Sequence, residues 1–340
     1  MLPAMSPRKS LHSITNTSVS LEDIHAAQGR ISAEIIRTPL VLSAAASDRA
    51  RCRVYLKLEN LQRTGSFKVR GALNTVMSLT PEERGRGLIC ASSGNHGLGL
   101  AYAAKRFGVR CIVVLPENPN SLKRSLLEKL GAEIVEFGIN SDMQWERVQQ
   151  LCQENGYTQV HPYSAPRTIA GQGTVGLEIL EDLPEVDEVY VAIGGGGLIS
   201  GIALAIKELH PQAKIYGVEP ENSNVMSESV RHQKLVVLPK VETIADGLAA
   251  KGTGRLNLSI VRRCVDQIIL VSDQEILRST LFLLEEGKIL VEPSGATSFA
   301  GILANPKREG RAVAVLSGGN VTLEQLSQLQ LSLGAMKSSS

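Results

Sequence analysis

Short apolar runs that stop at glycine or serine and give way to helical stretches constrain this chain more than any other property. Cys111-Ile112-Val113-Val114-Leu115 is apolar without interruption, as suits a strand covered on both faces. Strands are expected at 53–58, 87–91, 110–115, 133–137, 188–193, 214–218, 267–271 and 312–316. Between them lie helical patterns. Residues 97–107 are Ala/Leu-rich, 122–130 mix basic and apolar residues, and 197–209 are mostly apolar. Residues 273–286 place Ile276, Leu277, Leu281 and Leu284 on one side. Strand and helix in alternation mean an α/β fold with a parallel sheet.

The chain has 340 residues, enough for one large domain or two lobes. A net charge of +2 gives no electrostatic reason to expect nucleic acid or an acidic membrane, and 4% aromatic residues argue against base-stacking platforms. The five cysteines are scattered and odd in number, with no C-x-x-C pair. This disfavours a zinc site or disulfide framework and fits a reducing cytoplasm. No apolar run is long enough to span a bilayer. Residues 1–20 are Ser/Thr-rich with Arg8 and Lys9 and no acid. Transit peptides share that pattern, but with only two basic residues a disordered leader is the expectation. Residues 334–340 are expected to form a frayed tail.

Three Gly/Ser-rich segments stand where strands end and helices begin, the edge at which open α/β sheets bind ligands. Thr64-Gly65-Ser66-Phe67-Lys68-Val69-Arg70-Gly71-Ala72 should start a helix near Ser66. The helix N-terminus disfavours a cation and favours the neutral amine that forms imines; a solvated lysine at a helix start is the plainer alternative. Ala91-Ser92-Ser93-Gly94-Asn95-His96-Gly97 offers successive amides, two hydroxyls and an amide side chain as a carboxylate cradle, or it is simply an N-capping loop. Gly194-Gly195-Gly196-Gly197-Leu198 can close unhindered amides on a phosphate, or it is a flexible turn. The dinucleotide fingerprint G-x-G-x-x-G fails in every frame, since its last position falls on Ile199 or Ser200. Ser317-Gly318-Gly319-Asn320 adds a fourth strand-end hydroxyl.

Together and in this order, these segments resemble the pyridoxal-5′-phosphate (PLP) enzymes of fold type II, the tryptophan synthase β-like group, and among them the serine/threonine dehydratases and serine racemases. Arg37-Thr38-Pro39-Leu40, Ile169-Ala170-Gly171-Gln172-Gly173-Thr174, Thr243-Ile244-Ala245-Asp246-Gly247 and Glu292-Pro293 are further matches. The resemblance implies two lobes, each an open, mostly parallel sheet flanked by helices. The larger would comprise 21–86 and 164–333, the smaller 87–163, with the site in the cleft between them. It implies PLP held as a Schiff base by Lys68, which also moves the Cα proton. Phe67 would pack by the ring, Asn95 would bond its phenolic oxygen, Gly194, Gly195, Gly196, Gly197 and Leu198 would hold the phosphate, and Ser317 would contact the pyridine nitrogen. Ser92, Ser93, Gly94, Asn95 and His96 would hold the substrate carboxylate; the His96 side chain itself reads as a packing or capping group.

A neutral hydroxyl at Ser317 makes the ring a weaker electron sink. β-Elimination tolerates this because departing hydroxide drains charge from Cα. The expected reaction is dehydration of L-serine, L-threonine or a close β-hydroxy relative to a 2-oxo acid and ammonia. A racemase using Lys68 and Ser93 as opposed acid and base is the alternative, because serine racemases carry serine at the position of Ser93. A catalytically inactive PLP-binding regulatory protein is a remoter one. Relatives that bind a divalent cation do so at positions matching Glu219, Ser223 and Val225; valine cannot ligate, so no metal is expected. A homodimer or higher homo-oligomer is expected.

Overall fold

In the computed structural model, residues 18–92, 94–119, 121–306 and 310–337 are described. Ser20 starts α1 (Leu21–Ile31): its side chain accepts from the Asp23 amide while Asp23 accepts from the Ser20 amide, a reciprocal cap. Val19 is already buried in the core. The last residues of the 1–20 stretch therefore belong to the fold, while 1–17 lie outside the described residues.

The chain continues through β1 (Leu40–Leu42), α2 (Ala44–Ala50), β2 (Arg53–Lys57), α3 (Lys68–Met77), α4 (Pro81–Arg86), β3 (Leu88–Ala91) and α5 (Asn95–Arg106). Next come β4 (Cys111–Leu115), α6 (Ser121–Lys129), β5 (Glu133–Glu136), α7 (Ser141–Asn155) and β6 (Thr158–Gln159). The second half holds α8 (Pro166–Asp182), β7 (Glu188–Ala192), α9 (Gly197–Leu209), β8 (Lys214–Pro220), α10 (Val225–Arg231), α11 (Arg255–Cys264) and β9 (Gln267–Val271). It closes with α12 (Asp273–Glu285), α13 (Pro293–Ala304), β10 (Arg311–Val315) and α14 (Leu323–Lys337). Helix α14 runs through residues 334–337, part of the expected tail.

The strands form two sheets. Six are ordered β1-β2-β10-β7-β8-β9 and four are ordered β5-β4-β3-β6. Every pairing is parallel except β1 with β2. This is the expected α/β architecture of fold type II. All eight expected strands are present within a residue or two. β4 and β7 are buried along their whole length, as strands covered on both faces must be. On α12 Ile276, Leu277 and Leu281 are buried on the expected face, while Leu284 stays half-buried and Leu283 is buried in addition.

Glycines set how closely the helices approach. A Cβ on Gly71 of α3 would stand 2.9 Å from the Thr168 carbonyl, and one on Gly171 of α8 would stand 2.7 Å from the Arg70 carbonyl. Both are too close for any side chain, so α3 lies backbone to backbone on α8. Parallel strands end on the same edge, which brings the segments after β2, β7 and β10 of the larger sheet together, and the segment after β3 of the smaller sheet faces them across the cleft. Two contacts complete the junction: Ser66 bridges Gly318, and the Phe67 amide donates to the Ser317 carbonyl at 3.1 Å.

Candidate active site

Lys68 is the first residue of α3, and its Nζ donates to the Pro162 carbonyl at 3.0 Å. Nζ lies 5.1 Å from the centre of the Phe67 ring. Packing around the ammonium desolvates it and pulls its pKa from 10.5 to about 8, against the opposing charge of Glu292. The expected helix-start lysine thus becomes an amine carrying a sizeable neutral fraction near neutral pH.

The four glycines follow β7. Gly196 has φ +91° and caps α9 without any side-chain hydrogen bond. The first intrahelical amide bond is Ser200 to Gly196, so the Gly197, Leu198 and Ile199 amides have no partner within the helix. A Cβ on Gly195 would stand 2.3 Å from Cγ and Cδ1 of the Tyr163 ring, and one on Gly194 would stand 3.0 Å from Leu248 Cα. Thr253 donates to the Gly195 carbonyl at 3.0 Å. Asn257 donates to the Tyr163 carbonyl at 3.0 Å, while its Oδ1 is buried without a partner. An open helix N-terminus walled by residues that exclude side chains suits a phosphate group.

Helix α5 starts in the same manner. Gly94 caps it without a side chain, and its first intrahelical bond is Leu98 to Gly94. Ser92 Oγ accepts from the Gly94 amide at 3.3 Å. Ser93 lies outside the described residues. Asn95 donates to Glu292 at 2.7 Å and accepts from Asn320 at 2.6 Å, so both ends of its amide already join the two sheets. His96 is buried with Nε2 3.0 Å from the Val160 carbonyl, and burial together with Lys68 lowers its pKa to about 3. Its neutral ring is occupied by Val160, as suits a packing residue. Ser317 is buried, with Oγ 3.4 Å from the Ser294 carbonyl.

These groups line one cleft of about 1660 Å³, larger than the roughly 300–1,000 Å³ of a single-ligand pocket. It has room for a cofactor and a substrate together. A desolvated lysine, an open phosphate cradle and the buried hydroxyl of Ser317 fit pyridoxal phosphate.

Sequence reasoning passed over several wall residues. Pro162 contributes a carbonyl, which no sequence motif marks. Tyr163 packs on Gly195 and donates to the Gly252 carbonyl at 3.1 Å. His161 stacks on Trp145 with ring centres 5.2 Å apart and meets Tyr163 edge-on at 4.5 Å. Glu292 was noted as a motif without a role.

The position considered for a cation is differently built. Both carboxylate oxygens of Glu219 accept backbone amides, from Met226 and Ser227, each at 2.8 Å. Burial raises the Glu219 pKa to about 8 against those two bonds. Ser223 Oγ donates to the Leu248 carbonyl, and Val225 is fully buried. Among the described residues no group of three or more His, Cys, Asp and Glu side chains converges.

A family model described as "Pyridoxal-phosphate dependent enzyme" matches residues 31–318. An "L-threonine ammonia-lyase" of Thermotoga maritima is 41% identical over 94% of this chain and 80% of its own length. An "L-threo-3-hydroxyaspartate ammonia-lyase" of Saccharomyces cerevisiae is 40% identical over 90% of this chain and 95% of its own. The solved structure of maize serine racemase superposes with a TM-score of 0.88 at 34% identity, covering 94% of this chain and 99% of that one.

Proposed function

The chain belongs to the family of pyridoxal-phosphate dependent enzymes, and on that premise we propose how its residues divide the work of the reaction. It is a threonine/serine ammonia-lyase, converting a β-hydroxy amino acid to a 2-oxo acid and ammonia. The observation that carries the reading is Lys68: an amine with its pKa lowered to about 8, in a cleft shared with the open end of α9.

When bound, pyridoxal phosphate supplies an electron sink for the charge left on Cα. Gly194 to Gly197 and Leu198 hold its phosphate with the unpartnered amides of α9. Phe67 packs beside Lys68, and Asn95 and Ser317 supply the polar contacts to the ring. Ser317, a neutral hydroxyl, leaves the sink weak, which favours elimination, where a leaving group on Cβ takes up the charge. The amides at the start of α5, with Ser92, Ser93, Gly94, Asn95 and His96, bind the substrate carboxylate. Lys68 Nζ, neutral, takes the Cα proton. The lobes divide at 21–86 with 164–333 and at 87–163, and their closure excludes water.

Incubation of the purified protein with PLP and L-threonine, L-serine or L-threo-3-hydroxyaspartate tests the reading. The expected product is 2-oxo acid; a cofactor-loaded protein that produces none from any of the three overturns it. The likeness to maize serine racemase supports a second activity, in which Ser93 delivers a proton opposite Lys68. Chiral separation of products from wild type and Ser93→Ala tests that role. D-serine formed equally by both ends it.

Gln62 bonds both backbone groups of Ile36, and Asn60 bonds the Leu290 carbonyl. The exposed Ile36, Leu61 and Leu290 stand on the segments these bonds tie together, which supports a homodimer or higher homo-oligomer. Five unpaired cysteines fit the reducing cytoplasm. No helix among the described residues is long and apolar enough to cross a membrane.

A further inference from the structure

Beneath the cleft lies a buried network of charge in which the mechanism above gives no residue a part. Arg70 Nε and Nη2 donate as a fork to the two oxygens of Glu59, both at 2.8 Å. Nη1 and Nη2 donate to the two oxygens of Glu178, at 2.7 and 2.9 Å, and Nη1 also reaches Thr174 Oγ1 at 3.1 Å. Lys57 donates to Glu178 and to the Thr38 carbonyl, each at 2.6 Å, and the Thr38 hydroxyl donates to Glu59 at 2.5 Å. Burial alone would raise the Glu59 carboxyl, but Arg70 and Thr38 hold it below its ordinary value. Two cations face two carboxylates, all buried. They come from β2, the turn after it, α3 and α8, and they absorb sequence motifs around Thr38, Arg70 and Thr174 that the cleft leaves unused.

A fully paired buried network contributes little net stability compared with apolar side chains of the same volume; its better-attested effect is to enforce one arrangement. The arrangement enforced here is that of the first turn of α3. Lys68 and Arg70 stand two residues apart, about 200° around the helix. Lys68 therefore faces the cleft while Arg70 is gripped on the opposite side. The carbonyl that Lys68 binds, Pro162, leads directly into α8, which carries Thr174 and Glu178. The backbone of this turn is also closed in: a Cβ on Gly99 of α5 would stand 3.1 Å from the Lys68 carbonyl carbon.

We propose that Arg70, clamped by Glu59 and Glu178, is a positioning residue that sets the rotation of α3 and so the place of Lys68 Nζ against the substrate Cα. This rests on the ammonia-lyase reading. Sliding the anchor swings the tip of Lys68 across the cleft, and about 1 Å of misplacement at a reacting centre is worth up to about 100-fold in rate.

The test uses the holoenzyme of Arg70→Lys, which keeps the buried charge but loses the fork. Cofactor content per chain should stay near wild type, because the phosphate cradle sits on α9. KM for L-threonine should stay within about threefold while kcat falls about 10- to 100-fold. The Cα-deuterium isotope effect on kcat should rise, because proton transfer by a misplaced lysine becomes the slower step. A kcat per bound cofactor within about twofold of wild type, with an unchanged isotope effect, overturns the proposal. So does a loss confined to cofactor content, which is what a merely structural role predicts. Should Arg70→Lys fail to fold, Thr38→Val removes one hydroxyl from Glu59 and carries the same readouts with a smaller expected drop. The rate at which Lys68 captures added PLP, followed by absorbance, needs no substrate. A slowed capture in the variant therefore supports the positioning role, and an unchanged one overturns it, even if wild type fails to turn over L-threonine and the ammonia-lyase reading falls.

Discussion

The two sides of α3 treat polar groups in opposite ways. On the buried side all three guanidinium nitrogens of Arg70 have partners, and Glu59, Glu178, Lys57 and Thr38 complete one another. On the cleft side the first amides of α5 and α9 have no helical partner, and Asn257 Oδ1 and Ser66 Oγ are buried without one. Unpartnered buried groups cost stability. The difference separates the Arg70 network, whose charges satisfy one another, from a site whose helix amides are open to a ligand; Gln172, buried against Gly71 with both ends of its amide unpaired, is the exception on the scaffold side.

Four measurements can break or sharpen that contrast. Lys68→Ala should have the largest effect, removing turnover by about 10⁴-fold or more and abolishing the visible absorbance of the cofactor bond. Borohydride fixing PLP to the variant chain elsewhere would refute the lysine assignment. On the scaffold side, Glu178→Ala leaves Lys57 and Arg70 short of a carboxylate and should cost about 3–5 kcal/mol of folding stability, read by chemical denaturation. A cost near zero would mean the network is not self-contained. Gly195→Asp should lower PLP affinity by about tenfold or more, since each tenfold is only 1.4 kcal/mol. The new side chain meets the Tyr163 ring and opposes the phosphate charge. Equal PLP occupancy at limiting cofactor would move the phosphate elsewhere.

The smallest effect is in pH. Only neutral Lys68 attacks an aldehyde, and its folded pKa is lowered from 10.5 to about 8. On mixing apoprotein with PLP, the rate of cofactor attachment should fall about tenfold per unit below pH 8 and flatten above it. A rate still climbing toward pH 10 would show a lysine in ordinary solvent, and the cleft would then not desolvate it.

Local features were legible in the sequence and distant ones were not. Continuous apolar runs marked β4 and β7 because burial on both faces leaves that signature. β1 escaped because it is three residues long, partly exposed and directly after Pro39; β6 is two residues held only by β3. Lys68 and the four glycines stood out because each acts within its own short segment. The parts of Pro162, Tyr163, Glu292 and Asn257 depend on contacts about 30 to 200 residues away in sequence, which no spacing rule reaches. His96 sits in the expected segment, yet its imidazole faces Val160, because the helix that begins at Asn95 turns that side chain into the smaller sheet's core.

Trp145 is the one tryptophan in the chain, and it stacks on His161, the residue before the carbonyl that holds Lys68. The protein therefore carries an intrinsic optical probe at the join between its two sheets. Emission from that indole should change when PLP displaces the Lys68–Pro162 bond and again when substrate enters. Loading and closing can thus be timed in unlabelled protein.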